Sequence, residues 1–237
     1  MGAPLNDESL PKALKIKVDE VGLLVSRLPS LHAHIALYLL KNCLAISKLI
    51  YRLRCCPSWK APDQLADFDR VVRQGLELII NSTIEDDTWF QASLPVGRVG
   101  IGTRSAPDLS VPAFLASFLS TTELVNNLPG ITTLDPAWSD GLLKWLETSG
   151  TDVIPTSKYQ RDWEAPILEK KSNILLASAI TPKAEARIRA VTRKEYGDFL
   201  NAIPFASIGT LMNNETFRIA VGLRLGIMSP PSMSLRY

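Results

Sequence analysis

Residues 31–54 read LHAHIALYLLKNCLAISKLIYRLR, and the pattern of this stretch decides which fold the sequence predicts. Apolar residues recur every three or four positions through it, which is typical of one face of an α-helix. The stretch is followed by Cys56 and Pro57, and the residue before a proline avoids helical backbone angles. We therefore predict one long helix over residues 31–54 that ends before Pro57.

Helical periodicity continues on both sides of this segment. Residues 9–28 and 62–81 carry apolar side chains at three- and four-residue spacing, and no stretch shows a convincing strand alternation. Further helices are predicted near residues 82–90, 110–127, 136–148, 163–179, 182–201 and 213–225. Ser82 and Glu85 have the spacing of a capping box, and Pro112 suits the first turn of its helix. The predicted fold class is all-α, with one or more multi-helix bundles.

The composition is that of an ordinary globular chain, with 237 residues, 46% apolar and 21% charged. Three cysteines, none in a CxxC pattern, argue against a disulfide framework and a zinc site. Reduced thiols are typical of an intracellular protein, so that localisation is expected, in nucleus or cytoplasm. Neither a signal peptide nor a run of about 18 uncharged apolar residues is recognised, so no membrane association is expected.

Charge is unevenly distributed along the chain. Residues 10–60 contain nine lysines or arginines and two acids, whereas residues 61–92 contain seven acids and two arginines. No acid occurs between Val21 and Pro62. A basic block followed by an acidic one suggests a single surface that faces a polyanion.

The basic residues of the predicted long helix fall on one side of it. At 100° per residue, His34, Lys41, Lys48 and Arg52 lie within an arc of roughly 40°. A helix with an apolar back and such a basic front suits contact with a nucleic-acid backbone. The alternative is a basic face that meets only water or an acidic partner, such as the helix over residues 62–81.

A glycine-rich loop, QASLPVGRVGIGTRS, occupies residues 91–105. Its glycines, Gly97, Gly100 and Gly102, do not follow the GxGxxG order of a dinucleotide site, and no Gly-Lys-Ser/Thr end is present. We interpret them as turn glycines and expect no small-molecule ligand. Arg98 and Arg104 in this loop have no assigned role from the pattern alone.

Catalytic motifs are not recognised in the sequence. Residues 85–87, Glu-Asp-Asp, lie in the first turn of a predicted helix, where acids complement the helix dipole. No GxSxG motif occurs, and His32 and His34 are the only histidines. We therefore expect no catalytic residue, no metal site, no cofactor and no enzyme activity.

Four stretches in a fixed order carry a family resemblance. They are MGAPLND (1–7), ALYLLKNCLAISKLIYRLRCCP (36–57), WFQASLPVGRVGIGTRSAPDLSVPAFLAS (89–117) and LNAIPFASIGTLMNNETFRIAVGLRLG (200–226). Together they resemble the thumb and downstream connector of reverse transcriptases from non-LTR (LINE-type) retrotransposons, over nearly all of residues 2–226. Gln91 and Leu94-Pro95 are the strongest markers. Val99 stands where the family tends to have a further glycine.

The resemblance implies an organisation and a function. Residues 1–92 are expected to be a thumb-like helical domain, 93–150 the glycine turn and connector helices, 158–226 a C-terminal helical region and 227–237 a loose tail. Neither the catalytic palm nor the terminal cysteine/histidine segment of the family is recognised, which implies a non-catalytic protein.

The thumb of the family grips the template–primer duplex, so the expected partner is an RNA–DNA hybrid or RNA. The implied phosphate contacts are Lys41, Lys48 and Arg52, with Arg104 and Arg218 as weaker candidates; His34 and Arg54 complete the set on the basic helix. The alternative is a retrotransposon relic or a protein-interaction module that binds no nucleic acid.

Overall fold

The computed structural model describes residues 4, 6–127 and 136–227, and within these residues it contains helices and no strand. The α-helices are α1 (Leu10–Val25), α2 (Ala33–Leu39), α3 (Ile46–Cys55), α4 (Pro62–Ile80), α5 (Asp86–Ala92), α6 (Ala106–Asn126), α7 (Pro136–Ser149), α8 (Gln160–Ala177), α9 (Pro182–Val191), α10 (Asp198–Asn201) and α11 (Asn214–Leu225). The all-α prediction is confirmed for the part of the chain that the structure describes.

Helices α1 and α4 follow the sequence pattern closely. The apolar residues that recur at three- and four-residue spacing are buried: Leu10, Leu14, Val18, Val21, Val25 and Leu28 in residues 9–28, and Leu65, Phe68, Val72, Leu76 and Ile79 in α4. Pro62 stands in the first turn of α4, where its missing N–H is tolerated, and Asn81 ends the helix in the left-handed conformation. Both helices pack against each other in the main core.

The prediction of one helix over residues 31–54 is wrong. A π-helical turn spans Leu40–Leu44, and Ala45, with ψ of −121°, separates it from α3. In an uninterrupted α-helix, Leu49 would lie roughly 120° around the axis from Leu37, so the two would lie at opposite edges of a buried face. The break changes the helical phase and buries both.

Residues 33–55 are long and apolar enough, by length and composition, to cross a membrane, with a mean hydropathy of 1.3. Core helices of soluble proteins also meet this criterion, and 39% of the window is buried inside the protein. The expectation that no segment spans a membrane therefore stays a prediction.

The main core extends across the predicted domain boundaries. It joins the helices of residues 10–80 with Ile101, Ala106 and Leu109, and with Phe217 and Val221 of α11. A second cluster, between α6, α7 and α8, is built around Trp145 and Trp163, which are fully buried. The tail that the sequence predicts to be loose comprises residues 227–237. All of it except Ile227 lies outside the described residues.

The predicted starts of the helices near residues 82–90 and 110–127 are both wrong. In each case a side chain of α4 binds the backbone of the segment before or at the observed start. Helix α5 begins at Asp86, and the N–H of Ile84 donates to the carboxylate of Glu77, so Ser82 forms no capping box. Helix α6 begins at Ala106, whose N–H donates to Asp69 Oδ1 at 2.8 Å. Its early start leaves Pro112 inside the helix.

The prediction of one continuous helix over residues 182–201 is also wrong. It is divided into α9 and α10, with a 3-10 turn at Lys194–Gly197 between them. The division lets the chain turn so that Leu200 reaches the main core.

Candidate nucleic-acid interface

His34 does not belong to an exposed basic face. Its side chain is only 2% exposed, stacks on Phe217 at 4.5 Å and is positioned by two backbone groups. Nε2 lies 3.1 Å from the carbonyl of Phe199, and the N–H of Met212 donates to Nδ1 at 3.3 Å. Burial lowers the pKa of His34, which favours the neutral ring that this pattern requires. The expectation of an exposed His34 is wrong.

Lys41 is likewise turned into the protein. Its ammonium donates to the carbonyl of Leu200 at 2.9 Å and lies beside Gly102 of the glycine-rich loop. Burial, with a smaller contribution from the Arg224 charge, lowers the pKa of Lys41 to about 8. The lysine therefore fastens the C-terminal region to the π-helical turn instead of projecting to solvent.

The two weaker candidates also have internal partners. Arg218 Nε donates to the carbonyl of Ile79 at 2.9 Å, at the C-terminal end of α4, where unpaired carbonyls favour a cation. Arg104 forms an ion pair with Glu164 of α8. Both side chains connect neighbouring segments of the chain.

The exposed side of α3 is basic and contains an aromatic residue at its centre. Lys48, Tyr51 and Arg54 are exposed, and at 100° per residue Tyr51 lies between the two cations, roughly 60° from each. Leu49 and Leu53 cover the opposite side and are buried. Among the predicted contacts, Lys48 and Arg54 therefore keep charges that reach solvent.

Arg52 lies at the edge of this face and is only 9% exposed. Its Nε is buried and has no hydrogen-bond partner among the described residues. A buried donor without an acceptor costs roughly 1–3 kcal/mol. Because this Nε is closed to solvent, an external acceptor such as a phosphate oxygen does not reach it, and Arg52 contributes less to the exposed basic face than Lys48 and Arg54.

The N-terminus of α8 extends the same surface. Arg54 Nη2 lies 3.4 Å from Oε1 of Gln160, which places this end of α8 beside the end of α3. Tyr159 immediately precedes Gln160, and the guanidinium of Arg161 lies 5.2 Å from the centroid of the Tyr159 ring. We call Lys48, Tyr51, Arg54, Tyr159 and Arg161 the α3–α8 surface.

Acidic side chains next to the α3–α8 surface are engaged with their own partners. Glu20 pairs with Lys17, and the pKa of Glu20 is lowered by Lys17 and, less strongly, by Lys48 and Arg52. Asp162 accepts a hydrogen bond from Ser157 at 2.5 Å and lies 3.5 Å from Arg161. Helix α3 itself contains no acid, so the exposed charge of its face is positive.

The glycine-rich loop is filled by the protein's own groups. Gln91 Nε2 donates to the carbonyls of Val99 and Arg224 at 3.0 and 2.9 Å. Arg224 is 3% exposed, and its guanidinium donates to the carbonyls of Val96, Gly100 and Tyr196. The loop therefore has the geometry of a closed structural turn.

Two of the three loop glycines are required by geometry. A Cβ on Gly100 would lie 1.9 Å from the carbonyl oxygen of Leu94, and Gly102 has φ of 85°. Val99 also adopts a positive φ, 63°, which a β-branched residue rarely does. The backbone at position 99 thus suits the glycine that the resemblance leads one to expect there.

The pair Gln91 and Arg224 was not foreseen as an interacting unit, although both lie in the motifs that carry the resemblance. The contact joins residues separated by 133 positions in the sequence, and the spacing of Arg224 after Phe217 gives no signal of it. Tyr51, Tyr159 and Arg161 were also missed, because the two helices that bring them together are distant in sequence.

No protein-family model, curated protein or solved structure matches this chain. Among the described residues, no group of three or more histidine, cysteine, aspartate or glutamate side chains could hold a metal ion.

Proposed function

We propose that this chain is a non-catalytic helical protein, derived from a LINE-type reverse transcriptase, that binds the backbone of RNA or DNA through the α3–α8 surface. The observation that carries the proposal is the state of the cations on α3. Lys48 and Arg54 are exposed on a helix that contains no acid. Phosphate oxygens supply the negative charge and the strong hydrogen-bond acceptors that exposed cations favour.

The proposed derivation is supported by backbone conformation in addition to the sequence motifs. Val99 has φ of 63° at the position where the resembling family tends to have glycine. A valine in this conformation is what substitution of an ancestral glycine would leave behind, because the closed loop around Gln91 and Arg224 holds the backbone in place.

Binding to an RNA–DNA hybrid across a series of salt concentrations tests the proposal. The double variant Lys48→Ala/Arg54→Ala removes two exposed cations, so the slope of log affinity against log salt should flatten by roughly 1.5 to 2 units. Lys41 is left unchanged because its ammonium holds Leu200.

The matched control is Arg70→Ala/Arg189→Ala, which removes the same charge from α4 and α9, where each arginine pairs with an acid of its own helix. Its salt slope should equal that of the wild-type protein. An unchanged slope in the Lys48/Arg54 variant, or no binding of nucleic acid even at low salt, would disprove the proposed function.

A second candidate function, protein–protein interaction, is favoured by one apolar segment. Ile203, Phe205 and Ile208 are all more than half exposed, in a loop that Thr210 organises by donating to the Ile203 carbonyl at 2.6 Å. If the chain binds no nucleic acid, a change in sedimentation behaviour on replacing these three residues by serine would support this candidate.

A further inference from the structure

We infer that the α3–α8 surface binds single-stranded nucleic acid, with bases stacked on Tyr51 and Tyr159 and phosphates held by Lys48, Arg54 and Arg161. The inference rests on the proposed function and specifies its substrate class. It applies to RNA and DNA alike, because the groups concerned recognise phosphates and the faces of bases.

The two tyrosines have the exposure that stacking requires. Tyr51 is 56% exposed and Tyr159 is 65% exposed, although neither belongs to a hydrophobic cluster. Each is flanked by cations: Tyr51 by Lys48 and Arg54 on its helix, and Tyr159 by Arg161 at 5.2 Å. Alternation of aromatic and basic side chains is typical of proteins that bind single strands.

The arrangement of cations suits a single strand better than a duplex. Contact along a duplex needs a long row of cations, but the break at residues 40–45 and the internal contacts of His34 and Lys41 restrict the row to α3. Lys48 and Arg54 are separated by roughly 9 Å along the helix axis, at 1.5 Å per residue. A duplex also keeps its bases stacked internally, which leaves the exposed rings of Tyr51 and Tyr159 without partners.

The affinities of labelled single-stranded and double-stranded oligonucleotides test the inference. Oligo(dT) and oligo(U) of about 12 nucleotides are compared with a duplex of mixed sequence and equal length, by fluorescence anisotropy. We expect both single strands to bind more tightly than the duplex. Tyr51→Ala/Tyr159→Ala should weaken single-strand binding by roughly 10-fold or more, since stacking contributes about 1–3 kcal/mol per base.

Two controls separate stacking from structural effects. Tyr51→Phe/Tyr159→Phe keeps both rings and should bind like the wild-type protein. Tyr196→Ala removes a tyrosine of similar exposure, 53%, outside the α3–α8 surface and should also leave binding unchanged. Equal binding by the Tyr51/Tyr159 alanine variant, or tighter binding of the duplex, would overturn the inference. If the Lys48/Arg54 variant still flattens the salt slope in that case, the proposed function survives.

Thiol footprinting locates the bound strand independently. Cys55 is exposed on the same side of α3, between Tyr51 and Lys48, whereas Cys43 is exposed on the preceding π-helical turn. Cys56 is buried, and burial raises the pKa of its thiol to about 11, so it should react slowly. Saturating oligo(dT) should slow maleimide modification of Cys55 much more than that of Cys43. Unchanged modification of Cys55 would place the strand elsewhere and refute the inference.

Discussion

At the scale of single residues, Gly100 shows why the glycine-rich loop has its sequence. A Cβ there would lie 1.9 Å from the Leu94 carbonyl oxygen and 2.7 Å from that of Gln91, whereas a Cβ on Gly97 would meet nothing within 4 Å. We expect Gly100→Ala to lower the free energy of unfolding by about 3 kcal/mol or more, because the backbone must move. Urea denaturation measures the loss.

Gly97→Ala is the internal control for this prediction and should change stability by no more than about 1 kcal/mol. If both variants lose the same stability, the closed geometry of the loop is incorrect. Because glycine at these two positions looks identical in sequence, only the structure distinguishes the required one from the permissive one.

Asp69 gives the molecule a pH dependence at the residue scale. Its carboxyl is buried, which raises its pKa to about 7 in spite of the hydrogen bonds from Ala106 and Ser105. Between roughly pH 4 and pH 7 the folded state therefore holds a proton that the unfolded state has released, so this residue makes stability fall as the pH rises. Above pH 7 its contribution is constant.

Asp69→Asn should remove this dependence, because the amide oxygen still accepts from the Ala106 N–H and carries no charge. Thermal unfolding of both proteins between pH 4 and pH 8 measures it. We expect the variant to gain stability relative to the wild-type protein as the pH rises. A constant difference between the two would contradict the assignment.

At the scale of elements, the interruption at residues 40–45 sets the orientation of α3. Deleting Asn42, an exposed residue whose side-chain amide donates only to the Tyr38 carbonyl, removes one residue from the π-helical turn. If α2 and α3 then join in one α-helix, Leu37 and Leu49 are eleven residues apart and lie roughly 20° from each other around the axis, so Leu49 still faces the core. We expect the deletion variant to keep cooperative unfolding, measured by circular dichroism during heating.

Asn42→Ala is the control for the deletion, because it removes the amide and keeps the residue count. It should unfold cooperatively with a nearly unchanged midpoint. A deletion variant that loses cooperative unfolding while this control keeps it would show that the π-helical turn does not correct the phase of α3 by one residue.

The elements that sequence could predict are those whose apolar pattern keeps one phase. Helices α1 and α4 and the cap of α11, where Asn213 accepts from the Thr216 N–H and Gly226 ends the helix, follow local rules. The phase change at residues 40–45 is imposed by packing, so extrapolation at 100° per residue placed His34 and Lys41 on the wrong side. Of the candidate site, the exposed Lys48 and Arg54 could be predicted, whereas the burial of Arg52 on the same helix could not, because it depends on the helices that pack around α3.

At the scale of the whole molecule, the C-terminal region completes a core that begins at Leu10. Phe217 is fully buried against His34, and Lys41 and Arg218 tie backbone carbonyls that are more than 130 residues away in sequence. No local sequence pattern indicates these contacts. The sequence therefore predicts separate domains for the N-terminal and C-terminal helices. The structure instead indicates one cooperative unit for the N-terminal helices and α11.

Phe217→Ala tests whether the N-terminal helices and α11 unfold as one cooperative unit. Truncation of a buried phenylalanine should cost about 3–5 kcal/mol, and in a single cooperative unit the loss must appear in every segment that shares the core. Hydrogen exchange followed by mass spectrometry should therefore speed up in α2 and α4 as well as in α11. Phe205→Ala, at a position 55% exposed, should leave exchange in α2 and α4 unchanged. Faster exchange confined to α11 would mean that the N-terminal helices hold together without it, and that the fastening through His34 and Lys41 contributes little to the fold.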